Sequence, residues 1–236
     1  MTKYIGKCLL VEEGEKRILV IGDLHLGYEA SLNERGIFVG RNLFSENIEY
    51  FDRIFEKVGK VDEIVLLGDV KHEFGSINYQ EREEIFNLLE YFRDKCSKII
   101  IVKGNHDKIV EYLFEEEIVK IVEYYVVGKY CFLHGDRDFD VLIGNRIKFW
   151  VVGHGHPAVK LREGVKMEKY KCFLVGKYKG KGIIIVPSFF EGNAGSDARE
   201  NELKFAWKFK LENFNVKVVQ EDSLEVLDFG MLKNIN

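Results

Sequence analysis

Ile64-Val65-Leu66-Leu67-Gly68-Asp69-Val70-Lys71-His72 sets an unbroken apolar run against a glycine, a carboxylate and an imidazole. Continuous apolarity without polar alternation reads as a strand buried on both faces, and the stop at Gly-Asp reads as a loop at its carboxyl end. The same arrangement occurs four more times. Ile18-Leu19-Val20-Ile21 leads into Gly22-Asp23-Leu24-His25, and Ile99-Ile100-Ile101-Val102 leads into Gly104-Asn105-His106-Asp107. Cys131-Phe132-Leu133 is followed by His134-Gly135-Asp136, and Phe149-Trp150-Val151-Val152 by Gly153-His154-Gly155-His156. All six histidines of the chain fall in these five segments, which are therefore expected to meet in space and bind metal.

Helical patterns separate the first three runs. A helix capped at Ser45 would carry Ile48, Phe51, Ile54, Phe55 and Val58 on one face, and a second from about Tyr79 to Lys95 would turn Ile85, Leu88, Leu89 and Phe92 inward. This β-α-β-α-β order predicts a parallel sheet with right-handed crossovers. Beyond about residue 118 the pattern changes to short strands, expected over residues 118–127, 165–178, 181–186, 203–211, 216–220 and 224–229. The fold class that buries both sets of runs is α/β: a four-layer αββα sandwich with two mixed β-sheets packed face to face and flanking helices. Without a repeat, a low-complexity tract or a linker, residues 1–236 are expected to form a single domain.

A chain of 236 residues with 46% hydrophobic content is long enough to bury a substantial core. Its net charge of -4 gives no general attraction for a polyanion, so nucleic acid would have to be met by a local patch or by bound cations. Cys8, Cys96, Cys131 and Cys172 are far apart and form no C-x-x-C pair, which argues against a zinc knuckle or a disulfide framework and for buried thiols in a reducing compartment. The apolar runs, residues 183–186 among them, are far short of a spanning helix, so a cytoplasmic protein without membrane association is expected. Abundant Lys, Glu, Ile and Val beside only Gln80 and Gln220 is the bias described for hyperthermophile proteins.

Glycine ahead of an Asp or Asn removes a Cβ and lets the backbone turn sharply, so that the next side chain points into the crevice beyond the strand ends. Asp23, His25, Asp69, Asn105, His134, His154 and His156 are the candidate metal ligands. One ion does not need so many protein donors; two ions sharing a carboxylate do, at roughly 3.5–4 Å from each other. Imidazole, carboxylate and amide donors without thiolate suit Mn²⁺ foremost, with Fe, Zn²⁺, Ni²⁺ or Co²⁺ as alternatives, better than an all-oxygen Mg²⁺ or Ca²⁺ cage. Two dications beside two aspartates leave a net positive site, which attracts a phosphate ester and makes a nucleophile from water near neutral pH.

The order G-D-x-H, G-D, G-N-H-D, H-G-D, G-H-G-H between Asp23 and His156 resembles the calcineurin-like metallophosphoesterases. The resemblance implies that one metal is held by Asp23, His25, Asp69 and His156 and the other by Asp69, Asn105, His134 and His154, with Asp69 as the bridge. It also implies that His106 is the acid that protonates or otherwise stabilises the leaving alkoxide. Gly68-Asp69-Val70-Lys71-His72-Glu73-Phe74 departs from the G-D-x-x-D-R-G of the Ser/Thr phosphatases. Its G-D-x-x-H form is similar to that of the SbcD-like DNA repair nucleases, their small archaeal relatives and the DNA-ligase-associated phosphoesterases. The larger nucleases carry a capping domain and a coiled-coil partner site for which this chain is too short. Residues 187–195, PSFFEGNAG, resemble a loop of that subgroup placed near the site mouth.

Several residues have more than one reading. His72 would touch phosphate, assist the acid, or orient Asp69. Asp107 would cap a helix over residues 108–114, and Asp136 would form a turn. Arg41 would reach a substrate phosphate with its planar donor fork or stand as an exposed loop arginine. Lys166 to Lys181 holds six lysines interleaved with Tyr170, Phe173 and Tyr178, which suits either nucleic acid contact or a solvated strand edge, with Gly180 marking a hairpin turn. The resulting expectation is a metal-dependent phosphoesterase acting on phosphodiester or phosphomonoester bonds, with diesterase or nuclease action preferred and nucleotides or nucleic acid among its partners. The alternative is a metal-binding, non-catalytic scaffold subunit of a DNA-repair or RNA-processing assembly.

Overall fold

All five apolar runs form strands in the computed structural model, which describes residues 1–107, 118–164, 166–200 and 203–235. The first sheet contains β1 (Thr2–Ile5), β2 (Cys8–Glu13), β3 (Lys16–Ile21), β4 (Val61–Leu66), β5 (Cys96–Val102) and β6 (Val119–Val122), side by side in chain order. From β3 onward the pairing is parallel, with Val20 opposite Val65 and Val65 opposite Ile100. The antiparallel β1 and β2 make the sheet mixed. Cys8-Leu9-Leu10-Val11 is as apolar and as buried as the five runs, but it ends in Glu12-Glu13 instead of a glycine loop.

Among the described residues, three helices join these strands: α1 (Tyr28–Glu34), α2 (Leu43–Val58) and α3 (Tyr79–Arg93). α2 buries Phe51, Ile54, Phe55 and Val58 and α3 buries Ile85, Leu88, Leu89 and Phe92, against the outward face of β3, β4 and β5. The expected cap at Ser45 is corrected to Asn42: the helix starts three residues earlier than a cap at Ser45 would place it, and the Ser45 hydroxyl donates to the Asn42 carbonyl at 2.8 Å. At α3, Asn78 Oδ1 accepts the Glu81 N–H at 2.8 Å, satisfying one of the orphan donors of the first turn.

The second sheet contains β7 (Tyr125–Val127), β8 (Tyr130–Leu133), β9 (Phe149–Val152), β10 (Pro157–Glu163), β11 (Lys166–Tyr178), β12 (Lys181–Ile185), β13 (Ser196–Asp197), β14 (Asn215–Gln220) and β15 (Glu225–Met231). Its spatial order is β13-β10-β11-β12-β9-β8-β7, with β14 pairing β11 and β15 pairing β14. β8, β9 and β12 are parallel, so the ends of β8 and β9 point the same way. The expected strand over 118–127 is two strands, β6 in the first sheet and β7 in the second, and the chain passes between the sheets at Glu123-Tyr124. Lys179 (φ 45°) and Gly180 (φ 79°) make the two-residue turn of the β11–β12 hairpin, where left-handed backbone matches the strand twist.

Alternate side chains divide the interior into layers. Leu9, Val11, Ile18, Val20, Val65 and Ile100 of the first sheet meet Phe132, Val151, Phe173, Ile184 and Val186 of the second in the central layer. The other face of the second sheet, with Leu133, Trp150, Val152, Leu174 and Ile183, packs under a 3₁₀ turn at Asp140–Ile143 and under Leu203, Trp207 and Phe214. Residues 203–211, expected as a strand, form none: the alternating Phe205, Trp207 and Phe209 lie as an apolar cover over that face. All four cysteines are buried free thiols. No helix among the described residues is long and apolar enough to cross a membrane.

Candidate metal centre

β3, β4 and β5 end beside one another in the first sheet, and β8 and β9 end facing them in the second. The loops that follow bring all seven candidate ligands together. His156 Nε2 lies 3.3 Å from Asp23 Oδ1 and 3.4 Å from His25 Nε2. His134 Nε2 lies 3.4 Å from Asp69 Oδ2, 3.1 Å from Asn105 Oδ1 and 3.0 Å from His154 Nδ1. His25 Nε2 is 3.9 Å from Asp69 Oδ2, so the Asp69 carboxylate stands between the two groups. Asp23 with His25 and His156, and Asp69 with His134 and His154, each present donor atoms close enough to share one ion.

The chemistry of this donor set calls for cations. The Nδ1–H of His134 donates to the Leu67 carbonyl at 2.7 Å, which leaves the Nε2 lone pair facing a carboxylate oxygen, an amide oxygen and a second imidazole. Acceptors facing acceptors at this spacing need positive charge between them. Burial works to lower the His134 pKa, but the adjacent Asp69 carboxylate overrides it and pushes the imidazole up to about 10. A divalent ion meets the same demand. Burial holds His25 down to about 3 and lowers His154, with the charge of His134 adding to the latter shift, so these two imidazoles are neutral and free to ligate. Burial would raise Asp23 and Asp69, yet the imidazoles of His156 and His134 facing them keep both carboxyls below the usual range.

The local backbone is strained to achieve this. His25, Asp69, His154 and His156 have φ of 48°, 46°, 62° and 44°, in the left-handed region that side chains with a Cβ avoid. Neighbouring hydrogen bonds hold them. The Asp69 carbonyl accepts the N–H groups of Leu24 (3.1 Å) and His25 (2.9 Å), Asp69 Oδ1 accepts His106 N–H (3.0 Å), and the Asp23 carboxylate accepts His154 N–H (3.0 Å). Gly104 passes so close that a Cβ there would lie 2.3 Å from both the backbone nitrogen and Oδ1 of Asp69. Asp107 is fully buried and braces the same loops, accepting Gly104 N–H at 2.9 Å and Val70 N–H at 3.0 Å. Burial, reinforced by Asp69, pushes its carboxyl up to about 6. The helix that Asp107 is expected to cap lies outside the described residues.

His106 Nδ1 bonds to the carbonyl of His72, and its Nε2 stands 3.8 Å from Asp69 Oδ2. The His72 ring itself packs edge-on against Tyr28 (4.9 Å between centroids) and His25 (5.4 Å) and lies 6.1 Å from the His106 ring, while its backbone carbonyl bonds His106. Arg41 is exposed on the loop before α2, on the side of Glu84. Asp136 pairs with Arg137 Nε at 3.3 Å. In the lysine-rich stretch, Lys166 pairs with Glu168, Lys169 donates to the Gly195 carbonyl, and Lys181 donates to the carbonyls of Gly144 and Ile147. Lys177 and Lys179 are exposed.

Sequence reasoning misses two buried lysines. Lys171 donates to the carbonyls of Ser188 (3.1 Å) and Phe190, while Lys7 reaches the Phe189 carbonyl (3.4 Å) and the Glu191 carboxylate. They grip the segment whose Ser188 hydroxyl and Phe189 and Phe190 N–H groups hold the Asp23 carbonyl, and Phe190 packs against His25 at 5.3 Å. This is the 187–195 loop expected at the site mouth. The available signal was a lone lysine inside the apolar stretch 170–175.

The chain belongs to the calcineurin-like phosphoesterase family, whose family model matches residues 16–219. It is a metal-dependent phosphoesterase by family, and the clusters Asp23-His25-His156 and Asp69-His134-His154 indicate a dinuclear divalent-metal site. Among solved structures, the nuclease MPE of Pseudomonas putida is similar over 94% of this chain and 100% of that one, with 14% identity and a TM-score of 0.59. Vps29 of Entamoeba histolytica, complexed with zinc, is similar over 90% of this chain and 99% of that one, with 14% identity and a TM-score of 0.39. No curated protein matches the chain.

Gly104→Ala should lower Mn²⁺ affinity, read by isothermal titration calorimetry, by about tenfold or more, with an unchanged far-ultraviolet circular dichroism spectrum. Affinity within about twofold of the parent protein contradicts the crowding of Gly104 against Asp69.

Proposed function

We propose that this chain hydrolyses phosphodiesters at a dinuclear centre in which Asp23, His25, Asp69 and His156 hold one ion and Asp69, Asn105, His134 and His154 hold the other. The observation that carries this reading is the buried Asp69 carboxylate with His25 Nε2 on one side and His134 Nε2 on the other. Mixed nitrogen and oxygen donors without thiolate favour Mn²⁺, with Fe, Zn²⁺, Ni²⁺ and Co²⁺ sharing the same preferences. When bound, two such ions supply Lewis acidity toward the phosphoryl oxygens and lower the pKa of water enough for attack near neutral pH.

The chain's own groups do the rest. The strained loops hold the donors in place before substrate arrives, so little reorganisation remains for the reaction itself. In hydrolysis a water oxygen bonds to phosphorus, the bond from phosphorus to the ester oxygen breaks, and the leaving alkoxide takes a proton. We assign that proton to His106 Nε2, because Nδ1 is occupied by the His72 carbonyl. The preference for diesters rests on His72, which stands where the Ser/Thr phosphatase pattern has an aspartate followed by an arginine.

With Mn²⁺ supplied, kcat/KM for bis(4-nitrophenyl) phosphate should exceed that for 4-nitrophenyl phosphate, and the reverse order overturns the diester preference. A protein that holds two ions yet is inert on both esters with Mn²⁺, Ni²⁺, Co²⁺ and Zn²⁺ is the scaffold subunit instead. His106→Ala should retain metal and lose roughly 10²–10⁴ in rate on alkyl esters, with a smaller loss on nitrophenyl esters, whose leaving group needs no proton. Equal losses on the two ester types contradict the acid assignment.

A further inference from the structure

Beside the candidate metal centre lies an open cavity of about 480 Å³ whose lining includes Asn105, Phe74, Lys103, Glu123, Asp136 and Arg137. It begins at a proposed ligand, Asn105, and is of a size that suits a small organic group. Phe74 forms one wall. Its ring lies 3.6 Å from the His106 ring between centroids, tilted by 32°, yet the residue remains 64% exposed. A large apolar ring left this open at the rim of a polar site offers a flat surface to whatever enters.

The charges on the other side are balanced. Lys103 Nζ pairs with Glu123 at 3.1 Å, Arg137 Nη1 with Glu123 at 2.9 Å, and Arg137 Nε with Asp136 at 3.3 Å. Two cations and two carboxylates in one chain of ion pairs give no net attraction for a second phosphoryl group, so the cavity is unsuited to a pyrophosphate or a distal phosphate. The same cavity holds both hydrogen-bond donors and acceptors and an aromatic face. An uncharged, planar group rich in donors and acceptors fits both features at once, and among phosphoester substituents a nucleobase has this chemistry.

We propose that this cavity receives the base of the nucleoside that leaves, stacked on Phe74 and hydrogen-bonded along the Lys103-Glu123-Arg137-Asp136 chain. The side of the substrate follows from His106, against which Phe74 rests: a proton delivered from His106 goes to the leaving oxygen, so the substituent on that oxygen emerges beside Phe74. This inference rests on the phosphodiesterase reading and gives it a substrate class, nucleoside-bearing diesters. Phe74 is a specificity residue here, and removing its aromatic face should alter discrimination between substrates.

The test uses a pair of dinucleotides, one complete and one with an abasic tetrahydrofuran in place of the nucleoside that leaves, so that the scissile bond and the leaving oxygen are the same in both. The Mn²⁺-supplied protein should favour the complete compound in kcat/KM by about tenfold, the worth of one base–aromatic stack. Phe74→Leu should abolish that ratio, and Phe74→Trp, which restores a flat ring, should keep it. A ratio near one in the parent protein overturns the inference, and so does a ratio that survives in Phe74→Leu. Cleavage of bis(4-nitrophenyl) phosphate without cleavage of either dinucleotide overturns the inference while sparing the diesterase reading. Inactivity on all three overturns that reading and this inference with it.

Discussion

Asp23 ties the carboxyl ends of the two sheets to each other. Its carboxylate accepts the His154 N–H from the loop after β9, and its carbonyl accepts the Ser188 hydroxyl and the N–H groups of Phe189 and Phe190 beyond β12. The bond from His134 Nδ1–H to the Leu67 carbonyl makes a second crossing. Between the sheets the central layer is apolar, and apolar packing is non-directional. Directional bonds at the buried end of that layer therefore set how the loops of one sheet meet the loops of the other. Neither sheet carries a whole site: Asp23, His25, Asp69 and Asn105 come from the first, and His134, His154 and His156 from the second.

The same stitching explains how four side-chain-bearing residues persist in left-handed backbone. Each such residue costs of order 1–3 kcal/mol and survives only where its surroundings over-determine it. Here the surroundings include two lysines buried to the Nζ atom, Lys7 and Lys171, that fix the loop holding Asp23. Both lysines are buried away from water, and that burial, with the charge of Lys7 adding to the effect, pushes Lys171 down to about 7. Rigid donors converging on Asp69 are the arrangement that ion binding requires.

Much of this was legible because two independent patterns coincide. Five strands buried on both faces leave continuous apolar runs, and histidine beside glycine and aspartate is rare enough that five occurrences at strand ends mark one place. α2 and α3 were legible from the spacing of Phe51, Ile54, Phe55 and of Ile85, Leu88, Phe92, although the start at Asn42 was not, because Asn42 makes no side-chain capping bond and the distant Glu29 carboxylate accepts the Asn42 and Leu43 N–H groups instead. Phe205, Trp207 and Phe209 mimic a strand because alternation records burial on one side, and a cover strip has that pattern without ladder partners. Residues 118–127 hid a crossing between sheets since both halves are equally apolar. The roles of Lys7, Lys171 and Phe74 arise from loops brought near by tertiary packing, which local sequence does not encode.

The most direct measurement is anomalous scattering from crystals grown with Mn²⁺. The account predicts two peaks flanking the Asp69 carboxylate, roughly 3.5–4 Å apart, one toward His25 and His156 and the other toward His134 and His154. A single peak, or two peaks that do not share Asp69, contradicts it.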